Sequence, residues 1–160
     1  MTTDSLKNKA EQLMGEFLQE LGIPAEVSVE IVELEEDDKE GSILKIHLQG
    51  DELGDLIGYQ GKNLEALQVL FSMAFNQEDE EYTKVVVDVN SYRKKREEYL
   101  ESVAERALMD VAQSGQSVAL PPMKPSERRV IHVVLKKDET VETSSEGEEP
   151  ERYVVVHPKK

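Results

Sequence analysis

Leu6, Ala10, Leu13, Met14, Phe17, Leu18 and Leu21 recur at three- and four-residue spacing and predict an amphipathic helix over 5–21. Asp4 or Ser5 can cap its start, and Gly22 with Pro24 ends it. Val27, Val29 and Ile31 then alternate with Ser28 and Glu30, the period of a half-buried strand running to about Leu34. Residues 35–41 read as a solvated hairpin loop, a charged turn without the spacing of a calcium loop. The alternation resumes with Leu44, Ile46 and Leu48 inward and Lys45, His47 and Gln49 outward. A short apolar turn (Leu53, Leu56, Ile57) leads into Gly58-Tyr59-Gln60-Gly61. A second amphipathic run follows, with Leu64, Leu67, Leu70, Phe71 and Ala74. After an acidic connection at 76–81, residues 82–89 predict a strand with Val85, Val87 and Val89 on one face.

A boundary falls near Asn90 and Ser91, giving two regions, 1–90 and 91–160. Ser91 can cap a long helix whose stripe includes Tyr92, Tyr99, Val103, Ala107 and Val111, and Gly115 ends it. Residues 117–120 read as a short strand stopped by Pro121 and Pro122. Pro125 opens a further helix at its first turn, where proline is tolerated. In that helix Arg128 and His132 share a face bordered by Arg129 and Lys136, and Val130, Val133 and Val134 make the expected buried side. Residues 141–144 and 153–156 look like two strands around an acidic turn. The class is α+β with two small domains.

Gly58 and Gly61 sit three apart, can take positive φ, and let a partner approach the backbone. The helix starting near Lys62 leaves its first N–H groups unpaired at a positive dipole end, which suits a phosphate. A Walker A loop is excluded, because Leu56 and Asn63 stand where glycine and a hydroxyl residue would be needed. The loop and its flanking elements, in the order helix, strand, strand, helix, GxxG, helix, strand, resemble a type II KH domain. Such a domain carries a three-stranded sheet backed by three helices and clamps about four unpaired nucleotides. The plain alternative is a helix corner in which glycine merely permits the turn.

Charge changes the picture. The 160 residues carry a formal net charge of −15. Residues 1–83 hold 5 basic and 20 acidic side chains, whereas 84–137 hold 11 basic and 7 acidic. Long-range attraction to phosphate is therefore poor, and binding must rest on short-range contacts. Arg93, Lys94, Lys95 and Arg96 oppose the dipole at the start of their helix. They read either as a phosphate-facing patch or as a solvated face neutralised by Glu97, Glu98 and Glu101. The chain has no cysteine, no basic-then-apolar leader and no apolar run of membrane-spanning length, so a cytoplasmic protein without membrane or cofactor is expected. Three scattered histidines form no catalytic or metal constellation, and an enzyme is not expected.

Leu120-Pro121-Pro122-Met123, then Glu127-Arg128-Arg129-Val130-Ile131-His132, then Ser145 through Val156 closely resemble the domain named for its Arg-x-x-x-His motif, the R-three-H domain. A type II KH domain followed by an R-three-H domain resembles the bacterial Jag (SpoIIIJ-associated) family over nearly the whole chain. The resemblance implies a cytoplasmic RNA-binding protein, a post-transcriptional regulator or RNA chaperone linked to cell elongation, cell shape and envelope growth, working with a small single-KH partner. It assigns Gly58, Tyr59, Gln60 and Gly61 to the clamp, with Lys62 beside it, and Arg128, Arg129 and His132 to phosphate contact. Ser145, Gly147 and Arg152 match the family's closing segment. Two features depart from the pattern: the usual small N-terminal domain has no counterpart, and the loop's variable pair is Tyr59-Gln60, where a basic residue is common.

Tyr59 offers a ring for stacking on a base, with an exposed loop aromatic as the alternative. Ile57, Leu64 and Ile46 are the expected groove walls. Arg128 would act as a fixed fork, and His132 as a donor cationic below about pH 6.5. The alternative for this pair is a structural contact with the 146–149 turn. Single-stranded RNA or single-stranded DNA are the candidate ligands. A protein-interaction module pairing with another KH protein, without nucleic acid, is the rival reading.

Overall fold

A computed structural model of the chain describes residues 3–36, 39–77 and 82–159, and divides it into two compact units, 1–92 and 93–160. The first unit runs α1 (Thr3–Leu21), β1 (Glu26–Glu36), β2 (Lys39–Gln49), α2 (Gly54–Ile57), a single 3-10 turn (Tyr59–Gly61), α3 (Lys62–Phe75) and β3 (Lys84–Val89). β1 and β2 are antiparallel, β2 and β3 parallel, in the order β1-β2-β3. The expected alternation holds: Leu44, Ile46, Leu48, Val87 and Val89 are fully buried and Val85 nearly so. They pack on Met14, Leu64, Phe71 and Phe75 from the helices. The aromatic rings interlock, Phe17 edge-on to Phe71 and Phe71 stacked on Phe75. Lys9 donates from Nζ to the Phe75 carbonyl at 2.8 Å, filling one acceptor at the end of α3.

The hairpin is longer than its charge suggests. Pairing continues to Glu36 opposite Lys39, so most of the segment expected to be a loop is ladder, and residues 37–38 lie outside the described residues. Cross-strand backbone pairing wins there over the local turn propensity of a charged run. The predicted strand at 82–89 starts only at Lys84. Ahead of it, Asn76 satisfies the backbone on both sides of Thr83, accepting from its N–H and donating to its carbonyl.

At the predicted boundary Asn90 and Ser91 both take left-handed backbone, with φ of 50° and 56°. Asn90 exchanges two hydrogen bonds with the Gly50 backbone, which fixes this corner to the end of β2. Ser91 is thus not in the extended conformation of an ordinary N-cap.

The second unit takes in most of α4 (Tyr92–Ser114), then β4 (Val118–Ala119), α5 (Pro125–Leu135), β5 (Val141–Glu146) and β6 (Tyr153–Pro158), with the sheet ordered β4-β6-β5, all antiparallel. Its core is Leu100, Ala104, Ala107 and Val111 of α4 with Ile131, Leu135, Val154 and Val156. Two expected faces are corrected. Tyr99 is exposed, and Leu100 and Ala104 carry the stripe instead. In α5 Val130 and Val134 pack against the core as expected, but the buried residues are Glu127, Arg128, Ile131 and Leu135, and Val133 is exposed.

Candidate nucleic-acid interface

Gly58 has φ 68° and Gly61 φ 75°, and between them Gln60 is also left-handed at φ 51°. The glycines answer first to the chain itself. A Cβ on Gly58 would stand 2.5 Å from Cγ of Asn63, and one on Gly61 would stand 2.8 Å from Cε1 of Tyr92. Asn63 in turn donates to the Asp55 carbonyl at 2.8 Å, tying the start of α3 back to α2. Gly58 N–H donates to Gly54 O at 2.8 Å, so α2 closes directly on the loop.

The outward side of this locked loop carries the candidate ligand groups. Tyr59 is 73 % exposed. The Lys62 ammonium lies 5.7 Å from its ring centre, and Gln60 Nε2 donates to its hydroxyl. Exposed Lys62 also opens α3, whose N-terminus has no side-chain cap. An anion there would meet backbone N–H groups, a helix dipole and one cation. Of the expected groove walls, Ile46 and Leu64 are buried in the core and present nothing to a base, and Ile57 is half-buried.

In the second unit Arg128 is only 7 % exposed. Its Nη1 donates to the Met123 carbonyl at 3.0 Å and its Nη2 to Glu149 Oε1 at 2.7 Å. The burial matters: a guanidinium stays charged inside a protein, so it must be met by acceptors, as it is here. The contact matches the structural alternative, a bond to the acidic turn, more closely than an open fork. The bond from Arg128 holds the Glu149 carboxyl below its ordinary range. His132 lies between two hydroxyls of β5, Nδ1 at 2.6 Å from Thr143 Oγ1 and Nε2 at 2.8 Å from Ser145 Oγ. Burial, and then the nearby Arg128 charge, push its pKa down from 6.5. It is therefore a neutral imidazole over a wider range than an open surface histidine. Arg129 is exposed.

The four-cation run separates into two kinds. Arg93, Lys94 and Lys95 are exposed, and Lys94 reaches Glu98 only at 4.0 Å. Arg96 is largely buried, bonds Glu127 at 2.7 Å and lies over the Tyr99 ring. Its 2.7 Å carboxylate partner comes from α5. Glu127 also accepts from the Lys124 backbone N–H, closing the start of α5. Sequence reasoning missed Thr143 as a partner of His132, and Asn63 and Tyr92 as the fences of the glycines. A β-strand hydroxyl eleven residues from a helical histidine leaves no local pattern.

No cluster that could hold a metal ion occurs among the described residues, nor any helix long and apolar enough to cross a membrane.

Residues 11–89 match the family described as KhpA/KhpB, KH domain, and residues 98–158 match the R-three-H domain, both of which are binding modules and not enzymes. The chain is 36 % identical over 153 residues to the RNA-binding protein KhpB of Clostridium symbiosum, covering 96 % of this chain and 66 % of that protein. It is 30 % identical over 173 residues to the RNA-binding protein KhpB of Streptococcus pneumoniae serotype 2, covering 96 % and 53 %. Against the protein of the same name from Lactiplantibacillus plantarum it is 34 % identical over 139 residues, covering 87 % and 41 %. The chain thus spans about half to two thirds of the length of the first two of these relatives. It is an α+β protein that joins a KhpA/KhpB-type KH domain to an R-three-H domain, and the relatives it is similar to are RNA-binding proteins named KhpB.

Proposed function

We propose that this protein binds single-stranded nucleic acid, RNA before DNA, through the Gly58–Lys62 loop of its first domain, with the second domain adding contacts from the Arg128, Arg129 and His132 face. The observation that carries the reading is the loop itself. Its backbone is locked by Asn63 and Tyr92, while Tyr59 and Lys62 stand exposed on its outer side at an uncapped helix start. A preorganised clamp loses little entropy on binding. Tyr59 supplies a stacking face, and Lys62 with the α3 N–H groups supplies the phosphate contact. Arg93, Lys94 and Lys95 form the secondary basic patch; Arg96, tied to Glu127, buttresses it. The names of the relatives support RNA as the ligand. A regulator or RNA chaperone acting in the cytoplasm on cell elongation and envelope growth is the cellular role we infer from the family resemblance.

Fluorescence anisotropy with labelled single-stranded RNA, single-stranded DNA and duplex RNA across a salt series tests this. Single-strand binding with a shallow slope, a few phosphates at about 0.7 each, supports a local clamp in an acidic protein. No binding at low salt removes the reading.

A second reading is favoured by the outer face of α3. Leu70 and Met73 are 59 % and 68 % exposed, and Val69 joins them, in a helix without a charge from Ala66 to Phe75. Uncharged apolar side chains on a strongly acidic domain suit a protein surface. A single-KH-domain protein is the proposed occupant, and it is compatible with nucleic-acid binding at the loop. Mass measurement with and without such a partner tests it.

A further inference from the structure

We infer that Glu149 is a built-in occupant of a phosphate site made by Arg128 and Arg152, and that a phosphate binds there by displacing its carboxylate. The inference deepens the nucleic-acid reading of the second domain and rests on it for the source of the phosphate.

Arg128 is held from behind. Nη1 donates to the Met123 carbonyl, which fixes the plane of the guanidinium, and Nη2 is left for the turn at 147–152. Glu149 takes that position with a 2.7 Å bond, the length of a charge-assisted contact to an anionic oxygen. Yet Glu149 is not itself a buried group: its side chain is 51 % exposed against 8 % for that of Arg128. Its carboxylate can therefore swing into water without a desolvation cost, whereas the arginine cannot leave.

Arg152 supplies the second half. Its Nε is a buried side-chain nitrogen without a hydrogen-bond partner, and its Nη2 reaches the Ser145 carbonyl only at 3.4 Å. Buried donors are normally paired, so the orphan Nε calls for an acceptor, and the Arg152 carbonyl takes the N–H of Met123, the residue whose own carbonyl holds Arg128. Arg152 also acts on Glu149 through its charge. Arg128 thus bonds a carboxylate that the Arg152 charge also reaches. A phosphate offers this pair more acceptor oxygens than Glu149 does. The expectation that Arg128 is a fork for phosphate and the finding that it is already engaged are then two states of one site.

The test compares wild type, Glu149→Gln and Glu148→Gln by anisotropy with labelled single-stranded RNA. Glutamine keeps an oxygen for Arg128 and so preserves the fold. Glu148 is an exposed neighbour in the same turn and controls for net charge. Glu149→Gln should bind at least about fivefold tighter and Glu148→Gln within about twofold of wild type. Adding Arg152→Gln to Glu149→Gln should remove most of the gain. Equal affinities of the two single variants, or a gain that survives without Arg152, overturn the inference. A second arm titrates inorganic phosphate without RNA and follows the arginine Nε–H resonances by NMR. A shift of Arg152 in Glu149→Gln but not in wild type supports the masked site even if no variant binds RNA, an outcome that would defeat only the nucleic-acid reading. Phosphate that moves neither protein, or both alike, overturns the inference.

Discussion

The glycine at 61 is required by Tyr92: a Cβ there would come within 2.8 Å of the tyrosine ring, and the backbone is left-handed as well. Gly61→Ala should therefore lower the stability of the first domain by about 1–3 kcal/mol, strain and contact together. Urea denaturation checks it. The same geometry bears on the usual way of silencing such a loop. Aspartates at 58 and 61 would strike Asn63 and Tyr92, so lost binding in that double variant would report a disturbed fold as well as a repelled phosphate. An unchanged denaturation midpoint for Gly61→Ala would show that Tyr92 gives way freely.

Tyr59 and Lys62 give the cleaner probes, because both are exposed and project from the locked loop. Tyr59→Ala should cost about 1–3 kcal/mol of single-strand affinity, the value of one stacked base, with stability unchanged. Lys62→Ala should lower the salt slope by about 0.7, one phosphate on a single strand. Anisotropy across a salt series reads both. Wild-type affinity in Tyr59→Ala would remove stacking from the reading.

The elements above differ in how far the sequence could reveal them, for a physical reason. Leu44, Ile46 and Leu48 declare the inner face of β2 because alternation and burial on one side are the same fact in a strand. In α4 the sets Tyr99-Val103-Ala107-Val111 and Leu100-Ala104-Ala107-Val111 are both helical in period and share two members. The fold chooses the second, which the small side chain of Ala104 hid. Arg128 and His132 lie on one face of α5 by spacing alone, but whether that face is open depends on β5 and the 147–152 turn, which approach from elsewhere in the chain. The residues of the glycine loop could thus be named from the sequence, and the partners that hold them could not.

Arg96 belongs to packing, unlike the exposed Lys94 and Lys95. Removing Glu127 would leave its guanidinium largely buried without the 2.7 Å partner and would open the start of α5. Glu127→Ala should destabilise the second domain by about 2–3 kcal/mol, less than a fully buried pair because Arg96 retains some solvent. Replacing Lys94 and Lys95 together with alanine should leave the midpoint unchanged and weaken single-strand binding at low salt. Thermal unfolding and anisotropy on the two variants separate the roles. Equal stability losses in both would mean that the run acts as one structural unit.

The face formed by Val69, Leu70 and Met73 predicts an association driven by apolar contact. Leu70→Asp with Met73→Asp should abolish binding of a single-KH partner while leaving the fold intact, since both side chains are exposed and the core residues of α3 are untouched. Because the contact is apolar, raising salt should not weaken it in wild type. Light scattering of the mixtures decides. A complex that survives the double substitution would move the interface elsewhere.

His132 sets the response to acid. Burial and the Arg128 charge lower its pKa in the folded state, so between that value and the unfolded 6.5 the unfolded chain binds the proton more readily. Its contribution is therefore fully present above pH 6.5 and is lost as pH falls through the folded value, beyond which the loss is complete. Protonation would also oblige both ring nitrogens to donate, so the Thr143 and Ser145 hydroxyls would both have to accept. Denaturation midpoints at a series of pH values, for wild type and His132→Asn, isolate the effect. Their difference should be constant above neutrality and shrink on acidification. A difference that grows toward low pH would mean that the folded protein prefers the charged imidazole, and would reverse the assignment of His132 as a neutral bridge between two strand hydroxyls.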